Sequence, residues 1–239
     1  GLLKDYCTVS AGAVAYHNHP GEDPSSLYQY AEEALDKAKR TGKDTLAFFS
    51  SKDYGEKLST IELQEEIRQS VLNGFEGFYV CYQPQIHSRS YDVFGAEALL
   101  RYTSPSRGTV SPQEFIPVLE QTGMICQVGL WVLETALHQC CVWREDIPKM
   151  HISVNISYAQ LAQKNITQTV LEAVKESGLP GEALTLEVTE SMQLQDYAHF
   201  NKIFYRWKEA GIGISVDDFG TGYSSLGYLK GMEVDEIKI

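Results

Sequence analysis

The chain predicts an α/β fold with largely parallel strands. Three observations carry that expectation. Strand-like and helix-like segments alternate from about residue 78 onward. Four of the strand candidates split into one apolar and one polar face. The apolar content, 43% of 239 residues, is that of a globular protein with a core.

Residues 1–50 read as strand, loop, helix and strand, from "CTVSAGAVAY", "HNHPGEDPSS", "LYQYAEEALDKAKRTGK" and "DTLAFF". This is too little chain to hold a core alone, so it is either a domain remnant or packs on the segments C-terminal to it. Residues 51–57 read as a charged linker. Beyond it, Leu58, Ile61, Leu63, Ile67, Val71 and Leu72 recur at helical spacing, with Ser59 or Thr60 as cap and Gly74 as stop. The strand candidates further along the chain are "FYVCYQP", "VFGAEALLRY", "HISVNIS", "ALTLEVTE", "GIGISVDDF" and "VDEIKI". Helical stretches separate them: "SPQEFIPVLEQTG", "QVGLWVLETALHQCCVWRED", "QTVLEAVKESG" and "DYAHFNKIFYRWKEAG".

Strand parity makes the functional prediction. Ile152, Val154 and Ile156 oppose Ser153, Asn155 and Ser157; Leu184, Leu186 and Val188 oppose Thr185, Glu187 and Thr189. Ile212, Ile214 and Val216 oppose Gly213, Ser215 and Asp217; Ile237 and Ile239 oppose Glu236 and Lys238. The apolar faces suit packing under helices. In a (β/α) barrel, residues at the carboxyl ends of different strands meet, which would bring together Glu97, Asn155, Glu187, Asp217 and Lys238. Converging carboxylates repel unless a cation or protons lie between them. Oxygen ligands with an amide carbonyl suit magnesium, manganese or calcium rather than zinc. An antiparallel sheet with a solvated polar face is the competing reading.

Bulk properties narrow the function classes. A formal net charge of −12 argues against binding nucleic-acid duplexes through their backbones. Five cysteines (Cys7, Cys81, Cys126, Cys140 and Cys141), none at C-x-x-C spacing, point to reduced thiols and a cytoplasmic location. No signal peptide opens the chain, and no uninterrupted apolar run approaches the roughly 20 residues that span a bilayer. Both ends interrupt a strand pattern, so a longer parent protein is expected, membrane-bound only if its N-terminal region carries a sensor. "DFG" at Asp218–Gly220 is not a kinase signature, because the glycine-rich, H-R-D and A-P-E segments are missing.

From Leu58 onward the chain resembles the EAL-type cyclic di-GMP phosphodiesterases. The resemblance rests on "YQPQI", "EALLR" at Glu97–Arg101, "SPQEFIPVLEQTG", "VNIS", "LEVTES", "VDDFGTGYSSL" and "VDEIKI", in order. Residues 1–50 resemble the C-terminal end of a GGDEF-type diguanylate cyclase, through "TVSAGAV" and "AEEALDKAKRTGK". The resemblance implies a GGDEF remnant at 1–50, a linker at 51–57, and an EAL domain at 58–239. That domain would be a TIM-like barrel lacking its last strands.

It further implies Glu97, Asn155, Glu187 and Asp217 as ligands of one Mg²⁺ or Mn²⁺, with Asp217 and Asp218 shared with a second ion. Lys238 is implied as the lysine holding the attacking water. Glu190 is implied to tie down the loop after Asp218 through Thr221–Ser225, with Gly220 and Gly222 allowing the turn. Gln83 and Arg101 are implied as substrate contacts, and the domain as a homodimer. Tyr102 and Gln85 depart from the family pattern, with an expected effect on substrate packing. The expected activity is hydrolysis of cyclic di-GMP to linear pGpG, with a catalytically silent cyclic di-GMP receptor as the alternative.

Overall fold

A computed structural model describes residues 8–16, 21–189, 197–217, 219–220 and 233–238. The chain divides into two compact units, residues 1–63 and 64–239. In the first, strand β1 (Ala11–Ala13) pairs in parallel with β2 (Leu46–Phe48). Helix α1 (Pro24–Arg40) connects them, and Asp23 caps it by accepting from Ser25 N at 2.7 Å and Ser26 N at 3.1 Å. These two N–H groups are among those left without partners at a helix start, which is why an aspartate suits the position. Ala34 and Ala38 form the buried side of α1.

Helix α2 runs over Ser51–Leu72. The expected linker at 51–57 is therefore helical, and the caps expected at Ser59 or Thr60 lie inside the helix. Good helix formers such as Lys52 and Lys57 carry the helix through the charged segment expected to link the two parts.

In the second unit β3 (Phe78–Ile86), β4 (Val93–Ser104) and β5 (Gly108–Val110) are followed by α3 (Pro112–Gln121) and α4 (Ile125–Arg144). Then come β6 (His151–Asn155), α5 (Tyr158–Leu161), α6 (Ile166–Ser177), β7 (Leu184–Thr189), α7 (Tyr197–Glu209), β8 (Gly213–Asp217) and β9 (Glu236–Ile237). The sheet order is β3-β4-β6-β7-β8-β9, with β5 also on β4. Strands β4, β6, β7, β8 and β9 are mutually parallel, whereas β3 and β5 run antiparallel to β4.

The parallel expectation thus holds for β4 and β6 through β9 and fails for β3 and β5. Only a short loop separates β3 from β4, too short for the crossover that parallel neighbours need. The competing antiparallel sheet with a wet polar face is overturned. Ser153, Glu187 and Ser215 on the polar face are at most 1% exposed. Among the described residues the sheet is open, with no closed barrel.

The apolar faces of β6, β7 and β8 are buried beneath helices, as a parallel sheet requires. Phe200, Ile203, Phe204 and Trp207 recur at helical spacing along α7 and are all buried. Helix α4 is long and apolar enough to cross a membrane by length and composition alone. Gln127, Glu134 and His138 interrupt it, and its Val128, Val132, Ala136, Leu137 and Cys140 are core residues. We read it as a core helix. Gly181 lies in the 3₁₀ turn Gly181–Ala183 that feeds β7, and any Cβ there would overlap the Ala210 carbonyl oxygen.

Tyr102 is fully buried against Phe78 and Phe115, and its hydroxyl lies 3.0 Å from Ser70 Oγ on α2. The expected effect of Tyr102 on substrate packing is corrected: this side chain serves the core.

Candidate active site

The site is assembled by strand register. Glu97 on β4 pairs with Ser153 on β6, whereas Asn155, two residues further along β6, pairs with Glu187 on β7. Glu187 pairs with Ser215 on β8, and Asp217 is again two residues further. The functional groups therefore climb along the strands as the sheet is crossed. Such a staircase keeps them at one height when strands are tilted, the stagger built into barrel-like sheets.

The outcome is a compact cluster. One carboxylate oxygen from each of Glu97, Glu187 and Asp217 lies within 4.8 Å of the others, the acidic group with metal-binding geometry among the described residues. Asn155 Nδ2 donates to Glu97 Oε1 at 2.9 Å. Lys238 Nζ donates to Glu97 Oε2 at 2.9 Å and to Glu187 Oε1. Lys238 is held at this height by its N–H bond to Val216 O, 2.8 Å, and by Phe219 N donating to its carbonyl at 3.1 Å.

Electrostatics distinguish the members. Burial raises the Glu187 carboxyl, and the Glu97 charge adds to that, while Lys238 pulls the other way; the net direction is up. Burial alone would lower Lys238, but its bonds to Glu187 and Glu97 prevail and raise it. Glu187 Oε2 is buried without a hydrogen-bond partner. An unmatched buried carboxylate oxygen is costly, and a divalent cation would satisfy it. The donor set of three carboxylates and an amide fits an oxygen-loving cation.

A cavity of about 510 Å³ opens beside the cluster. Glu97, Arg101, Asn155, Tyr158, Gln160 and Asp217 are among its walls. Arg101 is anchored by an Nη1 bond to Leu100 O at 2.8 Å. Gln83 lies opposite Glu97 in the β3–β4 register, is exposed, and is not part of the cavity wall. Gln85 points elsewhere too: its Nε2 donates to Ser153 Oγ at 3.2 Å.

Of the residues singled out from sequence, the fold brings together Glu97, Asn155, Glu187, Asp217 and Lys238, with Arg101 on the cavity wall. Glu190, Asp218 and the segment Thr221–Ser225 lie outside the described residues. Sequence reasoning missed Tyr158 and Gln160, although S-x-x-Q directly after "VNI" is a helix-capping signature.

Fold and site together define a class: an α/β protein whose parallel strands deliver an oxygen-donor carboxylate cluster to their carboxyl ends. The particular family emerges from comparison with known proteins. The chain belongs to the EAL domain family, whose model matches residues 64–239. It is 34% identical over 227 residues to the bifunctional diguanylate cyclase/cyclic di-GMP phosphodiesterase MucR of Pseudomonas aeruginosa, covering 95% of this chain and 33% of that protein. It is 33% identical over 241 residues to the signaling protein YkoW of Bacillus subtilis, covering 99% of this chain and 30% of that one. A solved structure of the PaMucR phosphodiesterase in complex with c-di-GMP superposes with a TM-score of 0.69 and 37% identity. That match covers 74% of this chain and 72% of that one. The chain spans about a third of the length of these curated relatives.

Proposed function

We propose that this chain is the EAL part of a bacterial signalling protein that hydrolyses cyclic di-GMP to linear pGpG. The observation that carries this reading is the three-carboxylate cluster joined to Asn155 and Lys238. The MucR relative and the c-di-GMP complex support it. Parallel strands ending in that cluster support a TIM-like barrel as the parent architecture.

Glu97, Asn155, Glu187 and Asp217 would hold Mg²⁺ or Mn²⁺, with Asp217 and Asp218 reaching a second ion. Bound divalent cations would neutralise the phosphodiester oxygens and lower the pKa of a water nucleophile. Lys238 spends two donors on Glu97 and Glu187, leaving its third for a water or a phosphate oxygen. Arg101, tethered by one nitrogen, keeps its remaining donors for the anionic backbone of the dinucleotide. Gln83 would join Arg101 once substrate bridges to β3. Glu190 would hold the loop after Asp218.

In the same reading residues 1–50 are the end of a GGDEF-type domain, 51–57 the junction, and 58–239 the EAL domain. The β1–α1–β2 unit supports this, as does an alignment with MucR that extends beyond the family match. The segment acts in the cytoplasm, as a homodimer, whatever sensor the parent carries.

The decisive experiment incubates purified full-length protein with cyclic di-GMP and Mg²⁺ or Mn²⁺ and follows pGpG by chromatography. Wild type should turn over, and Glu97→Gln should lose at least about a hundredfold in rate. Equal inertness of the two would sink the enzymatic reading and favour a receptor.

A further inference from the structure

We propose that Gln160 is a positioning residue for this site: a buried cap on α5 holds the end of β6, and with it Asn155, in place. The inference rests on the reading of the cluster given under Proposed function.

The cap is reciprocal. Gln160 Oε1 accepts from Ser157 N at 3.1 Å and from Ser157 Oγ at 3.1 Å, while Gln160 N donates to Ser157 Oγ at 3.3 Å. Gln160 is only 7% exposed. Its carboxamide fills a notch in α4 made by Gly129, where any Cβ would overlap Gln160 Nε2 and Cδ. A glycine inside a helix is less favourable than alanine. Here the room it leaves for the carboxamide offsets that cost.

The cap begins two residues after Asn155. On its other side, Ile156 N donates to Glu187 O at 2.8 Å. Residues 155–157 are thus clamped between the backbone of one carboxylate-bearing residue and the Gln160 side chain. The clamp sets where Asn155 Nδ2 meets Glu97 Oε1. Tyr158, the next residue, is carried to the cavity wall and meets the Phe200 ring edge-on at 5.7 Å.

Gln160 also borders two spaces. It borders the cavity of about 510 Å³ and, together with Gly129, Asn155 and Ile156, a second one of about 220 Å³ between α4 and α6. Truncating it would remove the cap on Ser157 and free the α5 turn to shift. Groups that orient a ligand from behind typically change metal affinity about 10–100-fold when removed.

The test compares full-length wild type, Gln160→Ala, Gln160→Glu and Gly129→Ala. Free Mn²⁺ is titrated by electron paramagnetic resonance, kcat and KM are measured for cyclic di-GMP, and thermal melts are followed by circular dichroism. Gln160→Ala should weaken Mn²⁺ binding about tenfold or more and lower kcat more than it raises KM. Gln160→Glu keeps the accepting oxygen and should return to within about threefold of wild type. Gly129→Ala, which evicts the carboxamide, should behave like Gln160→Ala and carries the comparison if that variant does not fold. Folded Gln160→Ala with wild-type Mn²⁺ affinity and kcat overturns the inference while leaving the site reading intact. Loss of Mn²⁺ affinity that Gln160→Glu does not restore also overturns it. A wild type that binds no Mn²⁺ overturns the site reading and this inference with it.

Discussion

Glu66 and Glu187 both accept hydrogen bonds across the fold, yet their surroundings push them in opposite directions. Glu187 is buried on the sheet's polar face, so burial drives its carboxyl upward despite Lys238. Glu66 on α2 accepts from the Ser104 and Ser106 hydroxyls beside β4, bonds that favour its charged form and lower it; Arg107 adds to that. Because the folded value of Glu66 lies below the unfolded one, its contribution is fully present above the ordinary carboxylate range and is lost as pH falls through the lowered value. Glu66→Gln should therefore cost about 1 kcal/mol near neutral pH, with the difference from wild type shrinking in acid. Urea midpoints measured from pH 7 down to pH 3 check this; a difference independent of pH would disprove the charge assignment. Such pairings were not legible in the sequence, since Ser104 and Glu66 are far apart along the chain and neither belongs to a motif.

At the scale of elements, each strand does one local job and one non-local job. Alternation along β6, β7 and β8 puts apolar side chains under the helices and polar ones on the opposite face, and that could be read residue by residue. The pairing of Asn155 with Glu187, and not with Thr185, is what makes the cluster compact. A shift of one residue would turn Glu187 onto the helix side. The approach of the turn before β7 to Ala210, just past α7, is equally exacting. Gly181→Ala places a methyl group against the Ala210 carbonyl, a rigid backbone atom, and should cost about 1–3 kcal/mol or more. Denaturant unfolding checks it, and an unchanged midpoint would show that the turn relaxes freely.

For the molecule as a whole, the cluster among the described residues sets the carboxylates of Glu97, Glu187 and Asp217 beside the Lys238 ammonium. A ligand that binds only the folded state stabilises it by RT ln(1 + [L]/Kd), about 2.7 kcal/mol at a hundred times Kd. Saturating Mn²⁺ should accordingly raise the melting temperature of the full-length protein by several degrees, and chelation should reverse it. Glu187→Gln should largely remove the response. A wild-type melt indifferent to Mn²⁺ would argue against a resident cation.

What the sequence determined by itself was the set of side chains and the face each one takes: Glu97, Asn155, Glu187 and Asp217 on β4, β6, β7 and β8, and Lys238 just past β9. Period-two alternation is a local property, written in consecutive residues, and so it survives without knowledge of the fold. The tertiary structure alone decided the stagger that gathers three carboxylates within reach of one ion. It also decided the antiparallel start of the sheet, the burial of Tyr102 in the core, and the notch at Gly129 that receives Gln160. Each of these depends on which distant segments become neighbours, and pairing energies between segments far apart in the chain leave no period in the sequence.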